Sequence, residues 1–174
     1  MNIPALKKYQ SHLIVLILFF FMVVAFILRI IPALVTSDLA FFPVYDTDTW
    51  YNLRQIEVMV QNFPRYNWFD PMTAYPAGKM IDWGPLYPFL AAVLCLITGA
   101  ATRSGIIAAA GFVSPLLAVL MVPVMYWIGK KLGDYTTGLV AAGLISVTSL
   151  VYFSFSSYGM IDHHVAEVFF STLF

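Results

Sequence analysis

Charge is what this sequence has least of. Only 10% of its 174 residues are Asp, Glu, Lys or Arg, nine basic against nine acidic. A chain with no basic field excludes nucleic acid as a partner. Cysteine is nearly absent too. Cys95 stands alone inside an apolar run, so no disulfide framework or thiolate metal site can form within the chain. We read it as a small packing residue. What fills the sequence instead is apolar length: 61% hydrophobic residues and a mean hydropathy of +0.84. That composition excludes an ordinary soluble domain and predicts an all-α polytopic membrane protein, a multi-span helical bundle.

Lys7 and Lys8 precede an apolar run from Leu13 to Ile31, broken only by Arg29. We place the first span at 12–31. It has no small-residue cleavage site after it, which favours an uncleaved anchor. The paired lysines put the N-terminus in the cytoplasm. Arg29, near the outer end, is expected to snorkel. From 32 to 104 the chain forms a large first outer loop, rich in aromatics and proline up to Gly84. Within it, Trp50, Leu53, Ile56, Val60 and Phe63 recur at helical spacing, with Asn52, Gln55 and Gln61 mostly off that stripe. This predicts an amphipathic helix over 49–62, with Asp48 at its N-cap and Pro64 beyond its end. Turn-forming stretches come next, at Trp68-Phe69-Asp70-Pro71 and Tyr75-Pro76-Ala77-Gly78.

The apolar segment 85–101 reaches only about 25 Å as a helix, short of the roughly 30 Å hydrocarbon core. A second span at 105–129 carries Pro115 and Pro123 as expected kinks. Lys130-Lys131-Leu132-Gly133-Asp134 forms a short basic hinge, and a third span is placed at 135–158. Residues 159–164 form a second outer loop, and 165–174 begin a fourth span. The chain stops at Phe174 inside that apolar segment, so we expect the N-terminal part of a longer protein.

Topology turns on the segment 85–101. If it crosses, Asp162 falls on the side opposite Asp48, and Lys130 and Lys131 face outward. If it dips in and returns, as a re-entrant or interfacial helix, the two lysines join Lys7 and Lys8 in the cytoplasm. Asp48 and Asp162 then share the outer face. Paired lysines in a short loop favour the second arrangement.

Two stretches carry candidate chemistry. Asp46-Thr47-Asp48 reads as a capped helix start or as a carboxylate ligand for a hard divalent cation. In Asp162-His163-His164, an extended backbone would aim Asp162 and His164 the same way, with His163 turned elsewhere. An oxygen and an imidazole suit Mn2+, Mg2+ or Zn2+. The plainer reading is a solvated loop with a helix N-cap at Asp162. Glu167, one turn beyond His163, is either its orienting partner or a first-turn acid beside the helix dipole. Asp82-Trp83-Gly84-Pro85 is a site element or a loop entering the interfacial helix.

Together these residues resemble the oligosaccharyltransferase catalytic subunit family, in its archaeal AglB-type form, related to bacterial PglB and the eukaryotic subunit. Asp48-Thr49-Trp50-Tyr51-Asn52-Leu53-Arg54 is similar to that family's first acidic motif. Asn67-Trp68-Phe69-Asp70-Pro71, Tyr75-Pro76-Ala77-Gly78 and Trp83-Gly84-Pro85 resemble the next part of its first outer loop. Asp162-His163-His164 resembles its second motif in the Asp-x-His form. The resemblance implies a GT-C type bundle. It implies transfer of a glycan from a lipid-linked phosphate or diphosphate to Asn in Asn-x-Ser/Thr, on the outer face. Asp48 would be the catalytic residue and a metal ligand, with Asp162 and His164 as further ligands. His163 and Asp82 would lie toward the lipid phosphate. The implied cofactor is Mn2+ or Mg2+, with Zn2+ possible. The implied partners are the lipid-linked oligosaccharide, an acceptor polypeptide and membrane lipids. A chain of this length is not expected to be active alone.

Two positions depart from the family pattern. Phe155 stands where members usually carry Arg seven residues before the second motif. Asp82 stands where a related archaeal form has His. Another polyprenyl-phosphate-dependent glycosyltransferase is the nearest alternative, although an enzyme using one loop acid needs no Asp162/His164 pair. A transporter or scaffold subunit is the alternative of a different class. The spans 105–129 and 135–158 carry none of the mid-bilayer charges a transporter uses.

Overall fold

The computed structural model describes residues 3–35, 47–147 and 150–174. Asp46 and most of the chain between the first two helices lie outside them. Eight helices appear among the described residues. They are α1 (Ile3–Val35), α2 (Thr47–Asn62), α3 (Leu86–Thr98), α4 (Arg103–Ala110), α5 (Val113–Leu132), α6 (Tyr135–Val147), α7 (Leu150–Phe155) and α8 (His164–Leu173). The all-α expectation needs one amendment. Phe69–Asp70 (β1) and Lys79–Met80 (β2) pair antiparallel, Phe69 opposite Met80 and Asp70 opposite Lys79. Among the described residues, two stretches are long and apolar enough to cross a membrane, Tyr9–Ile31 and Arg103–Leu132.

α5 and α6 form a tight antiparallel pair against which α1 packs, through Ala25, Val122 and Ala142. Asp134 starts α6: its Oδ1 accepts the Thr137 N–H at 2.8 Å, as a capping carboxylate does. On the other side, α2 lies on α3 and α4, and α8 lies on α5. Leu53, Ile56, Tyr87, Ala91, Cys95, Ile106, Val113, Ile161 and Phe169 share one core. Cys95 is fully buried there, as its packing role requires.

Three local expectations change. The amphipathic helix is present, but its inner face is Thr49, Asn52, Leu53, Gln55, Ile56 and Met59. Trp50 is 49% exposed, and Asn52 and Gln55 are buried. The stripe is turned by about one residue, sending Trp50 outward, as suits an aromatic at a membrane interface. The helix expected over 105–129 starts at Thr102, whose Oγ1 accepts the Gly105 N–H at 3.2 Å, and breaks at Gly111–Phe112. Pro115 sits in the first turn of α5. Having no N–H, it leaves the Gly111 carbonyl free of a helical bond. The Gly159 N–H takes that carbonyl at 3.3 Å. Within the stretch expected as the third span, the described residues 135–147 and 150–155 are helical. Arg29 does not snorkel; its side chain is fully buried.

Candidate metal centre

The second acidic motif sits where α7 gives way to α8, held from three directions. Ser114 Oγ donates to the Met160 carbonyl at 2.6 Å, and the Tyr87 hydroxyl reaches the same oxygen at 3.4 Å. The Tyr158 hydroxyl donates to the Ala108 carbonyl at 3.2 Å. Its ring meets Phe112 edge-on, 4.8 Å between centroids. Gly159 has φ of 88°, a left-handed turn that a Cβ would strain, and it reverses the chain there. Ile161 is fully buried, and Asp162 comes next with its side chain at 0% exposure.

The motif is not extended. His163 has φ −74° and ψ −20° and stands at the N-cap position of α8, the place that the plainer reading assigns to Asp162. This curl brings all three side chains together, and His163 does not turn away. Ligand-type atoms of Asp162, His163 and His164 lie within 4.8 Å of one another. His163 Nδ1 is 3.0 Å from Asp162 Oδ1, and His164 Nε2 is 3.9 Å from Asp162 Oδ2. The 3.0 Å contact is short but not aligned as a hydrogen bond. Both Asp162 oxygens and His163 Nδ1 are therefore buried without a hydrogen-bond partner. Buried carboxylate oxygens without an aligned hydrogen bond, with the His164 Nε2 beside them, are what a divalent cation satisfies, and the donor set fits one of borderline hardness.

Glu167 does more than neighbour the helix dipole. Its Oε2 lies 2.9 Å from His164 Nδ1, which turns His164 Nε2 toward Asp162. Its Oε1 is 3.7 Å from His163 Nε2. A carboxylate on the far nitrogen of an imidazole fixes its tautomer and ring orientation. Burial by itself would push the Asp162 carboxyl up. The contact with His163 and the charges of His164 and His163 outweigh it and hold the carboxyl below the usual range. The Asp162 contact pushes the His163 imidazole up against the effect of burial, and the charges of Glu167 and Asp48 add to it.

Asp48 comes from the other side. It is the second residue of α2, inside its first turn, not at the cap. One turn on, Tyr51 meets the Trp83 ring edge-on at 5.2 Å, and Trp83 in turn lies 5.4 Å from the His163 ring. A cavity of about 250 Å3 opens between Asp48, Tyr51, Lys79, Asp82 and Trp83. A second, also of about 250 Å3, lies between Trp83, Tyr87, His163 and Glu167. Trp83 is the wall they share. Asp82 is exposed and pairs with Lys79. The loop reaches this place because Arg54 Nη2 donates to Asp70 Oδ1 at 2.9 Å. The buried Asp70 also accepts from the Met72 N–H and the Thr73 hydroxyl, each at 2.9 Å. Arg54 and Asp70 belong to separate sequence motifs, and nothing in either motif signals that they pair. Lys79, a single cation outside any motif, also escapes a reading of the sequence. So does the pairing of Glu167 with His164, although their i, i+3 spacing is an available signal.

Residues 12–174 match the family "Oligosaccharyl transferase STT3, N-terminal". The chain belongs to this family. Among STT3-related proteins, "Dolichyl-phosphooligosaccharide-protein glycotransferase 3" of Archaeoglobus fulgidus is 32% identical over 70% of this chain and 14% of its own length. "Dolichyl-monophosphooligosaccharide--protein glycotransferase AglB" of Haloferax volcanii is 33% identical over 82% of this chain and 14% of its own length. The archaeal oligosaccharyltransferase AglB of A. fulgidus, solved with an inhibitory peptide and a dolichol-phosphate, superposes with a TM-score of 0.86. It is 26% identical, over 94% of this chain and 19% of that one. A crystal structure of the A. fulgidus oligosaccharyltransferase in complex with Zn and sulfate superposes at 0.82 and 28% identity, over 90% of this chain and 20% of that one. The chain thus spans a fifth or less of these STT3-family relatives.

Proposed function

We propose that this chain is the N-terminal part of the membrane domain of an oligosaccharyltransferase. The whole enzyme transfers a glycan from a polyprenyl (dolichyl) phosphate or diphosphate to Asn in Asn-x-Ser/Thr, with a divalent cation at Asp48, Asp162 and His164. One observation carries the reading: the buried oxygens of Asp162, neither of them meeting an aligned hydrogen bond, converge with two imidazoles beside the Trp83 wall, with Asp48 across it. The Zn-bound relative makes a metal at this fold reasonable.

An amide nitrogen is a poor nucleophile because its lone pair is delocalised into the carbonyl. In the transfer, the anomeric carbon loses its bond to the phosphate oxygen and gains one to the Asn side-chain nitrogen, and the amide proton lost from that nitrogen passes to the Asp48 carboxylate and on to solvent. Asp48 accepts a hydrogen bond from that amide and weakens its conjugation. Its place in the first turn of α2 sets its carboxylate at the positive end of the helix dipole. His163, protonated more readily than an ordinary imidazole, faces the departing phosphate. When bound, the cation supplies charge neutralisation for that leaving group. Asp82 lies toward the phosphate as one half of a pair with the Lys79 ammonium. The protein sits in the cell membrane with its N-terminus in the cytoplasm and this site outside.

The test uses the full-length enzyme. Asp48→Ala and, separately, Asp162→Ala are each expected to lower Mn2+-dependent glycosylation of an Asn-x-Thr peptide by about 100-fold or more. Unchanged rates in either variant would refute the assignment.

A further inference from the structure

We infer that Arg29, a helix away from the metal centre, is a positioning residue for it. The proposal rests on reading Asp162-His163-His164 as that centre. Arg29 lies near the end of the first apolar run, yet no part of its side chain is exposed. Its Nε donates to Ser156 Oγ at 2.8 Å. Its Nη1 donates to the Ser146 carbonyl at 3.0 Å and to the Ala25 carbonyl at 3.1 Å. Its Nη2 reaches the Ile145 carbonyl at 3.5 Å. The guanidinium carbon stands 5.7 Å over the Tyr152 ring and 5.4 Å over that of Phe153. The backbone joins in: the Arg29 carbonyl accepts the Tyr158 N–H at 2.8 Å.

Every one of these acceptors is neutral, and no carboxylate pairs with Arg29 among the described residues. A buried cation without a counter-ion is costly unless every N–H is used. Here the acceptors are well chosen. The Ile145 and Ser146 carbonyls both come from α6 (Tyr135–Val147), and each carbonyl oxygen has two lone pairs with which to accept. Ser156 closes α7, its hydroxyl also donating to the Tyr152 carbonyl at 2.6 Å. One planar fork thus joins α1, α6 and the end of α7. A lysine, with a single ammonium on a flexible stem, cannot span that set.

Beyond Ser156 the chain approaches the metal centre under a series of clamps. Tyr158 hangs from Arg29 by its backbone, Gly159 from Gly111, and Met160 from Ser114 and Tyr87. Asp162 comes directly after. Arg29 sets the starting point of this clamped run, and therefore where Asp162 and the two imidazoles stand. It does not stand in for the family Arg missing at Phe155. The Phe155 ring lies edge-on to His164 at 5.4 Å, whereas Arg29 faces the helix interior.

The experiment takes the full-length enzyme with Arg29→Gln, Arg29→Lys and Ser156→Ala. Amide hydrogen exchange is read over 156–164, and Mn2+ affinity is measured by titration beside Asp162→Ala. Arg29→Gln is expected to speed exchange in that segment while α2 and α3 stay as in the wild type, and to weaken Mn2+ binding about tenfold. Arg29→Lys should fall between wild type and Gln, and Ser156→Ala should give a smaller change of the same kind. If Arg29→Gln does not fold, Ser156→Ala carries the test. Unchanged exchange over 156–164 would overturn the positioning role, whatever the metal result. Loss spread evenly over all helices would also overturn it. If Asp162→Ala leaves Mn2+ binding untouched, the metal reading fails instead, and the exchange data still decide what Arg29 does.

Discussion

Asp162 and His163 shift each other's titration in opposite directions. The carboxyl loses its proton more readily than usual, and the imidazole holds its proton longer. A raised imidazole pKa contributes stability in full below about 6.5, the ordinary imidazole value, and loses it as pH rises through the folded-state value. The same proton opposes a cation. We therefore expect Mn2+ affinity to rise between about pH 6 and pH 8, and the rise to flatten in His163→Gln. Titration at the two pH values checks it; a wild-type affinity that falls with pH would contradict the proton–cation competition. At this scale the motif was legible as three ligands of the right type. Its geometry was not. An alternating pattern presumes an extended chain, whereas the left-handed turn at Gly159 and the helical φ and ψ of His163 curl it.

At the level of elements, the site depends on one close approach. A Cβ added at Gly111 would stand 3.0 Å from Tyr158 Cε2 and 3.2 Å from the Ile107 carbonyl oxygen. Tyr158 is fully buried, so neither neighbour yields easily. Gly111→Ala should cost about 1–3 kcal/mol in thermal unfolding and weaken metal binding in parallel. A variant as stable as the wild type would show that the α4–α5 break does not brace the loop. The elements themselves were largely readable. Helical spacing and Pro64 bracketed α2, and the hinge expected over 130–134 marks the α5–α6 junction, although Lys130 and Lys131 finish α5 and only Gly133 and Asp134 stand between the helices. The inner face of α2 was not, because periodicity assumes that apolar side chains turn inward. Beside a membrane, Trp50 can face out and Asn52 and Gln55 in. The break at Gly111–Phe112 was hidden for a related reason. A helix ending in an apolar stretch gives no polar signal, and the partner of its freed carbonyl, Gly159, lies far along the chain.

For the whole molecule, the order and spacing of the acidic motifs were legible, and they led to the family before any geometry. What held them together was not. The Arg54–Asp70 pair, the Tyr51–Trp83–His163 ring contacts and the Arg29 fork are all contacts between distant segments that no local pattern announces. The arrangement of the membrane segments rests on charge. If α3 dips in and returns, as proposed, Lys131→Cys should resist a membrane-impermeant thiol reagent applied outside intact cells, and Arg103→Cys should react. The native Cys95 is buried and adds no background. Labelling of Lys131→Cys from outside would invert the topology and separate Asp48 from Asp162.

The central claim is that Asp162 and His164 hold a divalent cation. Electron spin-echo spectroscopy of Mn2+ bound to the full-length enzyme reads this directly. A nitrogen coupling from a directly bound imidazole should be present in the wild type and lost in His164→Ala. A Mn2+ signal with no nitrogen coupling, or one unchanged by His164→Ala, would contradict the account.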